Sequence, residues 1–142
     1  MPVTVVIALG SNRGDRGMNL RRAVDALSPH VRVVRVSSVH ETAAVDAPVG
    51  SPAFLNMVVV GYTSLSPFAL LDGLQSIEEG LGRVRGVRNA PRTIDLDLIF
   101  YDALRMRTPR LTIPHPRYER RRFVLEPLAE VWPGVKPARR CV

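Results

Sequence analysis

Strand-like and helix-like segments follow one another in this chain in an order that few folds accommodate. Segments 3–9, 31–40, 54–62 and 94–101 are rich in β-branched or alternating apolar residues, which predicts four strands. Segments 18–27 and 67–81 carry apolar residues at helical spacing, and Ser66-Pro67 is a typical helix start. The order β-α-β-β-α-β predicts an α+β, ferredoxin-like fold, with an antiparallel sheet and both helices packed on one face.

The remainder of the chain adds only short elements to this sheet. Residues 102–142 predict a short C-terminal extension with a strand at 111–113, a helical turn near 117–122 and a short helix after Pro127. Neither a linker nor a repeat divides the 142 residues, so we expect a single domain over 1–142. The longest apolar run near the N-terminus is too short for a membrane span or a secretion signal, and Cys141 is the only cysteine. We therefore expect a cytoplasmic monomer with no membrane partner and no internal disulfide.

Two aspartates interrupt the last predicted strand at alternate positions. Because side chains alternate along a strand, the apolar residues from Ile94 to Phe100 face the predicted helices. Asp95 and Asp97 then point together to the other face, ~7 Å apart along the backbone. Two neighbouring carboxylates repel each other unless they share a cation, and oxygen ligands of this kind suit Mg²⁺. The alternative is a solvated strand face, and the arginines around this strand favour the metal.

The net charge of +7 is concentrated around these aspartates. Eleven arginines but only four acidic residues lie between Arg83 and Arg122. Arginine binds phosphate oxygens in a bidentate manner, so this segment predicts a surface for nucleic acid or for the phosphates of a nucleotide. Arg92 precedes the aspartate strand, and Arg85 lies in the loop before it. No P-loop sequence occurs, and the pattern favours phosphoryl-type transfer, in which positioning and charge stabilisation dominate catalysis.

Four further polar residues have two interpretations each. His115 stands between two prolines among arginines, which is compatible with a phosphate contact or with a structural role. Asn56 lies in an otherwise apolar strand, so its amide needs a fixed partner, either the backbone or the polar edge of a small heterocycle. Gln75 and Glu78 share a helix face, which is either exposed to solvent or part of a binding site.

Several motifs occur in a fixed order over nearly the whole chain. The first half contains Ala8-Leu9-Gly10-Ser11-Asn12, Ser37-Ser38 and Phe54-Leu55-Asn56. The second half contains Gly82-Arg83-Val84-Arg85, Pro91-Arg92-Thr93-Ile94-Asp95-Leu96-Asp97, Leu111-Thr112-Ile113-Pro114-His115-Pro116 and Arg121-Arg122-Phe123-Val124-Leu125-Glu126-Pro127-Leu128. In combination these motifs resemble the 6-hydroxymethyl-7,8-dihydropterin pyrophosphokinase family of folate biosynthesis.

This resemblance implies a Mg²⁺-dependent enzyme that transfers the terminal diphosphate of ATP to the hydroxymethyl oxygen of the pterin and releases AMP. It implies two Mg²⁺ ions bound by Asp95 and Asp97, with Arg83 and Arg92 as further catalytic residues. The pterin site implied by the family comprises Thr42, Val45, Phe54, Asn56, Asp95 and Phe123. The implied ATP site comprises Gln75, Glu78, Arg83, Arg85, Arg92, Leu98, Arg110, Thr112, His115 and Arg121.

Two other classes of protein fit parts of the same pattern. A nucleic-acid-binding sheet of this type stacks bases on exposed aromatic side chains of its central strands, and segment 3–9 has none. Asp95 and Asp97 would also repel nucleic-acid phosphates unless a metal were bound. A metal-dependent nuclease would use the aspartate pair but would leave Asn56 and the loop motifs without a role. We therefore expect ATP and the pterin as partners, and no nucleic acid.

Overall fold

The computed structural model describes residues 2–43, 50, 52–82 and 93–132, and the predicted α+β class is confirmed. The elements in chain order are β1 (Val3–Ser11), α1 (Arg16–Ala26), β2 (Arg32–Val36), β3 (His40–Thr42), β4 (Phe54–Thr63), α2 (Pro67–Gly80), β5 (Asp95–Tyr101), β6 (Met106–Arg107), β7 (Thr112–Ile113), a 3₁₀ turn (Tyr118–Arg120) and α3 (Arg122–Val131). None of these helices is long and apolar enough to cross a membrane, as judged over the described ranges.

All neighbouring strands of the main sheet run antiparallel, in the order β2-β4-β1-β5. The strand predicted over 31–40 is in fact two strands, since β2 and β3 pair with separate parts of β4. The pairing register shifts at Val34, which forms a β-bulge. Further along, the hydroxyl of Ser37 accepts a hydrogen bond from the Val58 amide at 2.9 Å, and this side chain interrupts the ladder between the two strands.

Helices α1 and α2 pack on one face of the sheet, as predicted. The Ser66 hydroxyl caps α2 by accepting a hydrogen bond from the Ala69 amide at 3.3 Å. Their shared core comprises Val5, Ile7, Leu9, Leu20, Ala23, Leu27, Met57, Val59, Leu70, Leu74, Ile77, Leu96 and Leu98, among others. Phe68, near the start of α2, is 37% exposed, because Leu70 rather than Phe68 shares the buried helix stripe with Leu74 and Ile77.

Helix α3 covers the opposite face of the sheet, a face that the sequence analysis did not assign to any helix. Its core comprises Val6, Ala8, Val58, Val60, Ile99, Tyr118, Val124, Leu125, Leu128 and Val131. The helix begins at Arg122 and includes Pro127, whereas the sequence predicted a short helix after that proline. Proline forfeits one backbone hydrogen bond within a helix, but Pro127 and Leu128 are both buried here, and this burial offsets the loss.

A β-bulge in β5 sets the direction of its side chains. Val6 of β1 is paired with Phe100, but the next residue, Ile7, is paired with Leu98, so Ile99 is the extra residue. Phe100 therefore turns to the α3 face, where its ring centroid lies 5.0 Å from Tyr118 and 6.0 Å from Trp132. The expectation that Phe100 faces α1 and α2 is thus wrong. The alternation is regular before the bulge, which places both aspartates of β5 on the α3 face.

Candidate active site

A row of paired residues crosses the sheet where β5 begins. His40 lies opposite Asn56, Asn56 opposite Gly10, and Gly10 opposite Asp95. Directly opposed residues of an antiparallel sheet point to the same face, so the four positions share the α3 face. This row brings the candidate pterin residue Asn56 and the candidate metal ligand Asp95 to either side of a glycine.

Gly10 lies at the centre of this row, although the sequence analysis gave it no role of its own at a binding site. A Cβ at this position would lie 3.1 Å from Oδ1 of Asn56 and 3.5 Å from the ring of Phe54. Its absence leaves space beside these two side chains on the α3 face of the sheet. A glycine within a strand often marks such a close approach, and the sequence Ala8-Leu9-Gly10 at the end of an apolar run carried that signal.

The amide of Asn56 is buried and held by a defined partner. Its Nδ2 donates a hydrogen bond to Oγ1 of Thr42 at 2.7 Å, and the residue is 5% exposed. The sequence left the partner open between the backbone and a heterocycle, and the structure shows a side chain of the neighbouring strand. Because this bond fixes the amide plane, the Oδ1 edge is presented in one orientation beside Gly10. Thr42, Phe54 and Asn56 therefore come together, as the candidate pterin site requires.

Asp95 and Asp97 lie half-buried at alternate positions of β5. Their partners on β1 are Gly10 and Ala8, and these small residues leave room above the sheet beside both carboxylates. Within the described ranges, no group of three or more His, Cys, Asp and Glu side chains is placed to hold a metal ion. Mg²⁺ is commonly bound by only one or two carboxylates, with waters and substrate phosphates as its other ligands. The oxygen donors of this pair fit that coordination.

His115 interacts electrostatically with Asp95 and is held in a neutral form. Its backbone N–H donates to the carbonyl of Ile99 at 3.0 Å, which ties the segment after the cis Ile113–Pro114 bond to β5. Burial is the largest cause that lowers the pKa of His115, and the positive charges of Arg121 and Arg117 also lower it. Asp95 opposes them, and the resulting pKa is about 4. The ring Nδ1 is within 3.2 Å of the Arg117 N–H, which assigns the proton of the neutral ring to Nε2.

The start of α3 brings a cation and an aromatic ring to this end of the sheet. The Arg121 guanidinium lies 5.5 Å from the centroid of the Phe123 ring. The side chains of Arg121 and Phe123 are both half-buried. The positive charge of Arg121 also acts on His115, whose pKa it helps to lower. Arg121, His115 and Asp95 are therefore one electrostatic cluster. It was not predictable from their spacing in the sequence, because three separate elements contribute to it.

Other predicted ATP residues lie away from this cluster. Leu98 is 4% exposed and belongs to the core beneath α1 and α2, so only its backbone could contact a ligand. Glu78 is also 4% exposed, and its Oε2 accepts a hydrogen bond from the Leu96 amide at 2.7 Å. Arg110 forms an ion pair with Asp72 of α2. The place of these three residues in the ATP site stays a prediction.

The remaining candidates are half-buried residues or lie outside the described residues. Gln75 is half-buried on α2, and Thr112 is half-buried on β7 opposite Arg107. The positions outside the described residues are Val45, Arg83, Arg85 and Arg92. Their assignment to the pterin and ATP sites stays a prediction.

The arrangement is that expected of an enzyme that handles phosphate groups: paired carboxylates, a neutral histidine and an arginine beside a fixed amide. Comparison with known proteins identifies the family. A family model described as 7,8-dihydro-6-hydroxymethylpterin-pyrophosphokinase (HPPK) matches residues 6–133, and the chain belongs to this family.

Curated relatives of known name are similar over most of this chain. It is 51% identical over 130 residues to the 2-amino-4-hydroxy-6-hydroxymethyldihydropteridine pyrophosphokinase of Bacillus subtilis, a match that covers 88% of this chain and 75% of the relative. It is 40% identical to the protein of the same name from Pseudomonas aeruginosa, with 93% and 82% covered. It is 44% identical to a mitochondrial folate synthesis bifunctional protein of Arabidopsis thaliana, with 89% of this chain but only 23% of that protein covered.

Solved structures with the same fold are larger proteins. A structure titled as Plasmodium falciparum HPPK-DHPS wild type with pterin and p-hydroxybenzoate superposes with a TM-score of 0.71 at 15% identity, covering 96% of this chain and 39% of that one. An HPPK-DHPS complex with substrates superposes with a TM-score of 0.70 at 14% identity, covering 97% and 41%. At these identities the structures support the fold only.

Proposed function

We propose that this chain is a single-domain, Mg²⁺-dependent pyrophosphokinase that uses ATP to diphosphorylate the hydroxymethyl group of 6-hydroxymethyl-7,8-dihydropterin. The activity is that named for the family and for the relatives from Bacillus subtilis and Pseudomonas aeruginosa. The observation that carries the proposal is the row in which Gly10 separates the buried Asn56 amide from the Asp95 carboxylate. A polar heterocycle and a phosphate-bound cation would thus meet on one face of the sheet.

The pterin would occupy the space between β4 and the start of α3. The Asn56 amide offers both an acceptor and a donor to the amide-like edge of the ring, and Thr42 fixes its orientation. Phe54 and Phe123 provide aromatic surfaces for a flat ring. Asp95, two strands from Asn56 in the row, would then lie at the hydroxymethyl end of the substrate.

The triphosphate would lie over β5, near the positive charge of Arg121. Arg121 is placed to neutralise phosphate oxygens. His115 is neutral near pH 7 and carries its proton on Nε2, so it can donate a hydrogen bond to a phosphate without adding charge. We propose that Arg83 and Arg92 stabilise the transferred group and that Arg85, Arg110, Thr112, Gln75 and Glu78 complete the ATP site.

The reaction forms a bond between the hydroxymethyl oxygen and the β-phosphorus and breaks the bond from the β-phosphorus to the oxygen bridging it to the α-phosphorus. The electron pair of that bond leaves with AMP, and the hydroxyl proton passes to water. Asp95 and Asp97 would hold the two Mg²⁺ ions. When bound, these ions supply charge neutralisation and in-line positioning of both substrates. The chain itself orients the pterin through Asn56.

The proposal is tested by supplying purified protein with ATP, Mg²⁺ and the reduced hydroxymethylpterin and measuring nucleotide products. We expect AMP and pterin diphosphate in equal amounts. Formation of ADP, of free phosphate without pterin diphosphate, or of no product would overturn it. The same mixture with an oligonucleotide in place of the pterin tests the nuclease alternative, and cleavage there would favour that class instead.

Asp97→Asn should reduce turnover about 100-fold or more, because it removes a charge that binds the cation next to the transferred group. The fold should be retained, since the substitution is isosteric and the side chain lies outside both cores. AMP formation at saturating Mg²⁺ and a thermal melt measure the two effects.

Asp102→Asn is the matched control, since Asp102 lies in the turn after β5 at φ +50° and asparagine tolerates that conformation. It should leave turnover unchanged. If Asp97→Asn retains most of the activity, the metal assignment is wrong.

We also propose a ferredoxin-like topology, supported by the strand order and by the antiparallel pairing throughout the main sheet. The expected cytoplasmic location and monomeric state complete the proposal. Size-exclusion chromatography with light scattering tests the monomer, which should give a mass near the 15.7 kDa of one chain.

A further inference from the structure

Arg16, the first residue of α1, bridges β3 and the residue before β4, both of which are distant from it in the sequence. Its Nη1 donates one hydrogen bond to Oε2 of Glu41 at 2.9 Å and another to the carbonyl of Ala53 at 2.7 Å. A single guanidinium nitrogen carries two hydrogens, so it can make both bonds at once. Glu41 lies on β3 and Ala53 precedes β4, which means that one side chain bridges the two strands at the point where their pairing ends.

The bridge lies behind the candidate pterin site and not inside it. Glu41 is opposite Leu55, which packs against the core beneath α1 and α2. Thr42 and Phe54, the next pair along the ladder, therefore point to the other face, where the pterin would lie. Arg16 thus contacts the residues immediately before Thr42 and immediately before Phe54, from the side that the substrate does not reach.

We propose that Arg16 is a positioning residue for the pterin: it clamps the open end of the β3–β4 pair and so holds Thr42, Phe54 and Asn56 in binding geometry. The inference rests on the proposed function, since it names the substrate of the same site. It concerns pterin binding alone, because the clamp contacts neither β5 nor the His115 segment.

The length of the connection explains why this pair of strands needs a clamp. Eleven residues separate Thr42 from Phe54, and a connection of that length does not fix strand register as a two-residue turn does. β3 itself has only three residues paired with β4. The loop between β1 and α1 supplies a further, longer contact, from Nδ2 of Asn12 to the carbonyl of Pro52 at 3.5 Å. Asn12 and Arg16 therefore bind two consecutive carbonyls before β4, and Arg16 alone also reaches β3.

The test compares Arg16→Gln with Arg13→Gln, since Arg13 is an exposed arginine of the loop before α1 whose guanidinium contacts no partner among the described residues. Loss of one charged hydrogen bond and one backbone bond predicts that Arg16→Gln raises the KM for the pterin about tenfold, with kcat and the KM for ATP within about twofold of wild type. Arg13→Gln should match the wild type in all three constants. Calorimetric titration of the pterin should show the same weakening in its dissociation constant.

Two further variants separate positioning from a general loss of structure. Arg16→Lys keeps a cation with several donors, so it should restore part of the pterin affinity. Glu41→Gln should weaken pterin binding less than Arg16→Gln, and the double variant should be no weaker than Arg16→Gln alone, because both changes act through one bridge.

Several outcomes would overturn the inference. They are an unchanged pterin KM in Arg16→Gln, an equal rise in both KM values, or additive effects of Arg16→Gln and Glu41→Gln. If Arg16→Gln does not fold, the Glu41→Gln and Arg16→Lys measurements decide in the same way. If the wild-type protein forms no AMP, the proposed function is wrong, and the same assay detects this outcome.

Discussion

At the scale of single residues, Glu78 has a structural contact in addition to its predicted place in the ATP site. The resemblance placed it in the ATP site, yet its carboxylate accepts a hydrogen bond from the Leu96 amide on β5 and the side chain is buried. Glu78→Ala leaves a buried N–H without this acceptor, so we expect a loss of about 1–3 kcal/mol in the free energy of unfolding. Glu78→Gln keeps an acceptor oxygen and should lose less. Urea denaturation measures both.

Ser76→Ala, on an exposed position of the same helix, is the control for Glu78 and should leave the free energy of unfolding unchanged. The structural assignment is wrong if Glu78→Ala has normal stability and a raised KM for ATP only.

For Asn56 the sequence already indicated a structural contact, because an amide in an apolar strand needs a hydrogen-bond partner. What the sequence lacked was the identity of that partner, since Thr42 is adjacent only through strand pairing.

At the scale of elements, one carboxylate fastens α3 to the interrupted edge of the sheet. Glu130 accepts hydrogen bonds from the Ser38 amide and hydroxyl, both at 2.7 Å, and from Nε2 of His40. These bonds, those from Ser38 first, lower the pKa of Glu130 to about 2. The break between β2 and β3 thus has a consequence: it turns Ser38 toward the helix that carries Arg121 and Phe123.

Glu130→Gln should lower the free energy of unfolding at neutral pH by on the order of 1 kcal/mol, a modest figure because the carboxylate is exposed to screening solvent. The lowered pKa means that this contribution is present above pH 4.5 and is lost as the pH falls toward 2. The difference between variant and wild type should therefore shrink over that window in denaturant titrations. Glu126→Gln, an exposed position one turn earlier, should show no such difference.

At the scale of the whole molecule, stability should also depend on pH above that window. The folded protein holds His115 with a pKa of about 4, below its unfolded value of 6.5, so folding favours the neutral ring. The stabilisation is complete above pH 6.5 and is lost as the pH falls toward 4, because the unfolded chain binds the extra proton. We expect a loss of roughly 1–2 kcal/mol over this range in protein without ligands, after discounting for partial exposure.

His115→Gln removes this titration and should flatten the stability curve between pH 6.5 and 4. Arg121→Gln should flatten it partly, since the positive charge of Arg121 contributes to the lowered pKa. A wild-type curve that is level over this range would contradict the assignment of a buried neutral ring. The window of Glu130 lies lower, so the two groups are distinguishable in one set of measurements.

The cap of α2, the two aspartates on one strand face and the order of strands and helices, apart from the break between β2 and β3, follow from the sequence alone. These are local properties, since side-chain alternation, helical spacing and turn chemistry act over a few residues. The motifs also determined the family, which the comparison with known proteins confirmed.

Tertiary structure decided what depends on residues distant in the chain. The bulges at Val34 and Ile99 follow from how β4 and β1 accommodate their neighbours, and the burial of α3 on the second face follows from the apolar surface that this sheet exposes there. The lowered pKa of His115 requires a desolvating environment that no local pattern specifies. The clamp of Arg16 on two strands depends on pairing register, which only the folded sheet sets.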